Sequence, residues 1–239
     1  MEKIDTYKLD FNLTEGMFDA NVSFTPYAIL DIFQELAGRH AYILGCGTPY
    51  IKARNIAWIL AKQYVEIYDE PTYEGHVTAY TFPHKPSSIG GLRETVICNE
   101  DNKPIIRGVT LWVMVDLSNF SLIGIPKDIY GLDEYHESYF RKVPRVKGAS
   151  SYNEVIDSYK VLPSDLDKYH HMNNAKYANF IINSLKLSSK DIKSFSIEYH
   201  NQAKLGDDIK LYKEEIDNLI ILTGKKDDTK VFTINVERK

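Results

Sequence analysis

The chain has 239 residues, enough for one large domain or two of about 100–130 residues each. Hydrophobic residues make up 44% and charged residues 26%, which excludes a disordered or collagen-like chain and matches an ordinary soluble globular protein. The net charge of −4 gives no electrostatic case for nucleic acid or an anionic membrane surface as partner. Cys46 and Cys98 are the only cysteines. Two thiols at unrelated spacing are neither a disulfide framework nor a metal knuckle, so a reducing cytoplasm is the expected compartment. The first residues lack the apolar core of a signal peptide, and no apolar run nears the roughly 18 residues needed to span a membrane.

Residues 7–24 alternate as strands around a turn at Glu15 and Gly16. Thr25 and Pro26 mark a helix start, Thr as N-cap and Pro at the first helical position. Residues 26–44 have helical period, with Ile29, Ile32, Phe33, Leu36, Ala37, Ile43 and Leu44 as the buried set and Gly45 as the stop. A helix this apolar belongs inside a sheet. A loop with Gly47 and Pro49 follows, then strand-like runs at 56–68, 76–82, 92–99 and 105–116, separated by turn residues. Residues 117–150 break the rhythm with Gly124, Pro126, Gly131, Pro144 and Gly148. They read as a connection that packs on something through Tyr130, Tyr135, Tyr139 and Phe140. The outline then repeats: a strand at 152–162, a helix at 174–187, and strands at 194–201, 209–215, 219–224 and 230–237. Two copies of a helix against a curved antiparallel sheet make the expected fold class α+β, divided into 1–123, a linker over 124–150, and 151–239.

The stretch 164–185 concentrates the chemistry. Asp165, Asp167, His170 and His171 lead to Asn173 and Asn174, which open an amphipathic helix with Tyr177, Ala178, Ile181, Ile182 and Leu185 on one side. A carboxylate, an imidazole and two amides therefore meet at a helix start, where backbone N–H groups are unpaired and the macrodipole is positive. Each residue also has a plainer role open to it. Asp165, Asp167, Asn173 or Asn174 suits a cap, and His170 suits an exposed loop. Zinc is not expected, because His-His with Asp lacks a third anchored ligand. A serine hydrolase is not expected either, since no Gly-x-Ser-x-Gly elbow is present.

These residues resemble the acyl-ACP (acyl-carrier-protein) thioesterases, a family of two tandem hotdog domains. The likeness runs from about residue 5 to 236. In the first half it is carried by Glu35-Leu36-Ala37-Gly38-Arg39-His40-Ala41, Trp58-Ile59-Leu60-Ala61-Lys62, Val65-Glu66 and Trp112-Val113-Met114-Val115-Asp116. In the second half it is carried by Ser164-Asp165-Leu166-Asp167, His171-Met172-Asn173-Asn174-Ala175-Lys176-Tyr177, Glu198-Tyr199 and Gly206-Asp207. The resemblance implies hydrolysis of the thioester of fatty acyl-ACP to free fatty acid, in fatty acid biosynthesis, with no cofactor. The first domain would form the acyl tunnel and the second would be catalytic, with acyl carrier protein as partner and the chain a monomer or a homodimer.

Carried over from the family, the catalytic Asp is Asp167 and the His is His171. The family Asn falls on Tyr169, the family Glu on Gln202, and the Cys of plant members on Ala203. Asp167 and His171 are then the expected acid–base pair, with Gln202 orienting water and Asn173, Asn174 and Tyr169 on the substrate side. Gln202 positions a water but does not accept its proton near neutral pH, and Ala203 offers no nucleophile. A non-catalytic or slow acyl-binding homologue and an acyl-CoA thioesterase are the alternatives.

Overall fold

Two long, largely buried strands at 56–67 and 104–116 build the centre of the molecule. The computed structural model describes residues 4–152 and 154–239. The first half contains β1 (Tyr7–Asn12), α1 (Pro26–Ile43), α2 (Thr48–Arg54), β2 (Ile56–Ile67), β3 (His76–Pro83), β4 (Gly91–Cys98), β5 (Pro104–Asp116) and the short β6 (Leu122–Ile123). The second contains β7 (Val155–Lys160), a 3₁₀ helix (Asn174–Ala178), α3 (Asn179–Asn183), β8 (Ile192–Tyr199), β9 (Asp208–Ile216), β10 (Leu219–Lys226) and β11 (Thr229–Arg238). The strands form one sheet in the order β1-β3-β4-β5-β2-β8-β11-β10-β9-β7, with β6 beside β5. The halves meet where β2 pairs antiparallel with β8, Lys62 opposite Glu198 through Glu66 opposite Ser194. The Lys62 ammonium lies 2.7 Å from the Glu198 carboxylate across that seam.

The helix α1 begins as its sequence requires: the Thr25 hydroxyl accepts from the Ala28 N–H at 3.1 Å, and Pro26 occupies the first turn. It stops at Gly45, whose φ of +79° suits a residue without a Cβ. Its apolar face (Ile29, Ile32, Phe33, Leu36) joins one core with Val65 of β2, Phe195 and Ile197 of β8, and Phe232 of β11. Gly108 of β5 makes room for it, since a Cβ there would lie 2.3 Å from the Phe33 ring.

Three expectations are corrected. The stretch with Gly47 and Pro49 is the helix α2, not a loop. It has seven residues, none of them buried, so it shows no hydrophobic period. The second arm expected within 7–24 is reduced to a single bridge between Phe18 and Phe24, because Glu15–Met17 forms a 3₁₀ turn and Asp19 Oδ1 ties down the Asn21 and Ser23 N–H groups. The helix expected at 174–187 is a 3₁₀ turn followed by one short α-helical turn. It closes where Lys186 takes a φ of +57° and the Leu187 N–H reaches back to the Ile181 carbonyl at 3.2 Å.

The connecting stretch packs firmly. Tyr130 and Phe140 are buried, Tyr130 in a second apolar cluster with Leu44, Ile56, Met114 and Ile125. The buried Glu94 carboxylate accepts from the N–H groups of Tyr139 and Phe140 and from His84 Nε2. Further on, Lys147 exchanges two hydrogen bonds with the Asn235 side chain of β11.

Candidate active site

The segment before the 3₁₀ helix folds back on itself. The Asp167 N–H donates to the His171 carbonyl at 2.8 Å, and Asp167 Oδ1 accepts from the N–H groups of Tyr169 (2.8 Å) and His171 (3.3 Å). His170, at the tip, takes a φ of +62°. The Asp167 carboxylate thus holds its own turn together, as short acidic side chains do. Asp165 is buried, and its Oδ2 accepts from the Tyr159 hydroxyl and the Leu162 N–H, both at 2.8 Å. It is a structural residue.

His171 is half-buried and bridges to Lys204, while the Met172 N–H donates to the Ala203 carbonyl at 2.9 Å. Continuing that register puts Gln202 across from Asn173. Burial lowers the His171 pKa below the ordinary imidazole value, with Lys204 and His170 acting the same way and the Asp167 charge opposing. Gln202 and Tyr169 are exposed. The Lys168 ammonium lies 5.1 Å from the centre of the Tyr169 ring.

Asn173 is the cap. Its Oδ1 accepts from the Ala175 N–H at 2.9 Å and its carbonyl from the Lys176 N–H at 2.9 Å. The Asn174 N–H meets no acceptor among the described residues, so one first-turn donor stays available. The Asn174 carbonyl accepts from the Tyr199 hydroxyl at 2.8 Å, and that hydroxyl in turn accepts from Gln63 Nε2 of β2. Burial pushes the Tyr199 phenol well above its usual pKa, so it serves as a neutral donor.

Asn174 and Ala175 line a narrow space of about 10 Å³ together with Gln34, Gln63 and Thr110, room for about one water. A larger cavity of about 160 Å³ shares Gln34, Ala37 and Trp112 with it and extends along α1 to Ala41, Ile51 and Trp58. The indole N–H of Trp58 is fixed on the Cys46 carbonyl, and that of Trp112 on the Thr110 hydroxyl, each at 3.0 Å. Asn174 lines the narrow space and not the larger cavity. Asp167, His171, Gln202, Tyr169 and Asn173 line neither; they gather on the neighbouring turn and strand end. Sequence reasoning missed Gln34, Gln63, Thr110 and Tyr199. Gln63 carried a signal, an amide within the apolar alternation of 56–67. Among the described residues, no group of three or more His, Cys, Asp or Glu side chains is placed to hold a metal.

Comparison with known proteins assigns the class. The acyl-ACP thioesterase N-terminal domain matches residues 4–132, and the acyl-ACP thioesterase C-terminal domain matches residues 149–235. The chain belongs to the acyl-ACP thioesterase family. It is 23% identical to a chloroplastic oleoyl-acyl carrier protein thioesterase of Coriandrum sativum, over 84% of this chain and 60% of that protein. It is 22% identical to oleoyl-acyl carrier protein thioesterase 2 of Arabidopsis thaliana, over 96% of this chain and 69% of that one. The chain thus spans about 60–69% of the length of these two plant relatives. Its fold matches an acyl-ACP thioesterase from Bacteroides thetaiotaomicron with a TM-score of 0.89 at 19% identity, covering 98% of both chains. It matches a 12:0-ACP thioesterase from Umbellularia californica with a TM-score of 0.82 at 17% identity, covering 98% of this chain and 97% of that one. The architecture is the tandem hotdog α+β fold.

Proposed function

We propose that the chain hydrolyses the thioester of fatty acyl-ACP and releases free fatty acid. The observation that carries this is the narrow space at Asn174, Gln34, Gln63 and Thr110, which shares Gln34, Ala37 and Trp112 with a larger, mainly apolar cavity walled by Trp58 and Trp112. A thioester carbonyl at Asn174 would find an N–H donor for its developing oxyanion, with the acyl chain in the cavity. In this reading residues 1–123 bind the chain, 124–150 connect, and 151–239 carry the chemistry. His171, with its lowered pKa, is neutral near pH 7 and takes a proton from water. The hydroxide forms the new C–O bond, the C–S bond breaks, and His171 returns the proton to the departing carrier thiolate. Asp167 holds the turn, and its negative charge favours the imidazolium that His171 becomes; Gln202 positions the water, and Asn173 and Tyr169 flank the substrate. The exposed Arg141, Lys142, Arg145 and Lys147 offer an acidic carrier protein a docking surface, and a reducing cytoplasm is the compartment.

The test is hydrolysis of acyl-ACPs from about C8 to C18 by wild type and variants. His171→Ala should lower the rate by about 10²-fold or more. Asp167→Asn keeps the turn acceptor and should lose activity without losing thermal stability, whereas Asp167→Ala should lose both. Gln202→Glu should raise the rate. Equal rates for wild type and His171→Ala would remove the catalytic assignment. A second reading, acyl-ACP binding without turnover, is favoured by Gln202, whose amide accepts no proton from water near neutral pH. Binding of acyl-ACP with no release of fatty acid would establish it. Faster turnover of acyl-CoA than of acyl-ACP would instead make the carrier CoA.

A further inference from the structure

The larger cavity starts where it shares Gln34, Ala37 and Trp112 with the narrow space at Asn174, and it follows α1 past Gly38 to Ala41. Gln34, Ala37, Gly38 and Ala41 stand at i, i+3, i+4 and i+7, one face of the helix. Gly38 is the informative position. A glycine inside a helix is destabilising relative to alanine. Here no close approach requires it, since an added Cβ would meet no other part of the protein within 4 Å. The helix gives up stability at Gly38, and what the molecule gains there is open space in the cavity.

The far end is held in place. The Cys46 N–H donates to the Ala41 carbonyl and the Trp58 indole N–H to the Cys46 carbonyl, both at 3.0 Å. A Cβ on Gly47 would lie 2.9 Å from the Tyr42 backbone, so the start of α2 is pressed against the end of α1. Thr48 and Ile51 of α2 form the wall there. Arg93 of β4, 6% exposed, also lines the cavity, within electrostatic reach of Cys46 and Tyr130. Its Nη1 lies 3.0 Å from His40 Nδ1 and 3.4 Å from the Thr81 hydroxyl. His40 Nε2 lies 2.8 Å from the Ile4 carbonyl, which only accepts, so Nε2 carries the ring proton and Nδ1 accepts from the guanidinium. Polar groups thus collect at this end: Arg93, Tyr130, Cys46 and Thr48. At the other end the Gln34 amide donates to Asp31 Oδ1 at 2.8 Å. The apolar length between them is Ala37, Gly38, Ala41 and the two indoles.

Two measures give the length of chain that fits. From Gln34 to Ala41 the helix rises about 10 Å. An extended chain advances about 1.2 Å per bond, so about eight carbons lie along that face. The volume of about 160 Å³ agrees, since a cavity of about 150 Å³ admits benzene, roughly six carbons. The thioester carbonyl and its neighbour at Asn174 add about two more. We infer that the cavity takes fatty acyl chains of about eight to ten carbons, with Gly38 keeping it open and the corner from Cys46 to Ile51 ending it. This rests on the acyl-ACP hydrolase reading and names the substrate class, a medium-chain acyl thioester ending in a methyl group. A longer chain meets a fixed wall and polar groups, where further methylenes gain no apolar contact.

The test has two arms. In the first, kcat/KM is measured for acyl-ACPs of about C6 to C18 with wild type, Gly38→Leu and Ile51→Ala. Wild type should peak at about C8 to C10 and fall by about tenfold or more by C16. Gly38→Leu fills the open space and gains helix propensity, so it should keep its thermal stability while its peak moves down by about two carbons. Ile51→Ala removes part of the end wall and should move the peak up by about two carbons. A wild-type peak outside that range, or a length profile unchanged in Gly38→Leu, overturns the inference. The second arm needs no turnover. Calorimetry measures binding of free fatty acids of the same lengths to wild type. Affinity should rise with length to about C10 and then level off. That result supports the cavity assignment even where no acyl-ACP is hydrolysed, in which case only the hydrolase reading fails. Hydrolysis of acyl-ACP with affinity still rising to C16 leaves the hydrolase reading standing and removes this one.

Discussion

His40 shows how one side chain ties stability to pH. Its pKa is pushed down to about 4, first by burial, then by the Arg93 charge, with the Ile4 carbonyl and Asp5 opposing. The unfolded imidazole titrates near 6.5, so the unfolded chain binds a proton over a range where the folded one does not. The stabilisation is present above about pH 6.5 and is lost as pH falls through 4, at most about 3 kcal/mol. His40→Gln, which keeps an acceptor for Arg93 and a donor for Ile4, should flatten the fall in urea midpoint between pH 7 and 4. The same slope in both proteins would show that His40 does not carry it. Asp167 and His171 stand out in the sequence because both lie in one short motif. Arg93 does not, because a charged residue in a strand reads as surface until β3, α1 and the 117–150 stretch enclose it.

Among the elements, α1 depends on β5. Phe33 rests on Gly108, where an added Cβ would also lie 2.8 Å from the Tyr64 carbonyl, a backbone atom that cannot swing away. Gly108→Ala should therefore cost about 1–3 kcal/mol, and Phe33→Leu in the same chain should recover part of it. Chemical denaturation reads both, and an alanine variant as stable as wild type would mean that α1 shifts freely. The extent of α1 is legible in the sequence because a cap, a proline, an 18-residue period and a stop glycine agree. The shorter α2 and the broken helix after Asn173 are not. A helix of one or two turns has too few residues to show a period, and its end is set by bonds such as Leu187 N–H to the Ile181 carbonyl.

At the scale of the whole molecule, one sheet and one principal core serve both halves. Cutting β2 from β8 would expose Val65 and Phe195, now fully buried and paired across the seam, and leave two open sheet edges. The chain should therefore unfold in a single transition, with calorimetric and van't Hoff enthalpies equal. Two resolved transitions would show that each half carries its own core. The same seam brings Gln63 of β2 to Tyr199 of β8, whose hydroxyl holds the Asn174 carbonyl, so residues of both halves meet at the narrow space.

The succession of strands along the chain and the long helix are written in local periodicity, which the spacing of apolar residues sets through short-range sterics and burial. The motif from Asp167 to Tyr177 is likewise visible as residues. Local pattern does not show which groups face one another. Asn174 and Gln63 share one space because β2 and β8 pair, and among the described residues Arg93 meets no carboxylate because Glu94 turns to the other face. Those contacts join residues far apart in the chain. Their energies depend on what the folded molecule excludes from water, and only the tertiary structure decides that.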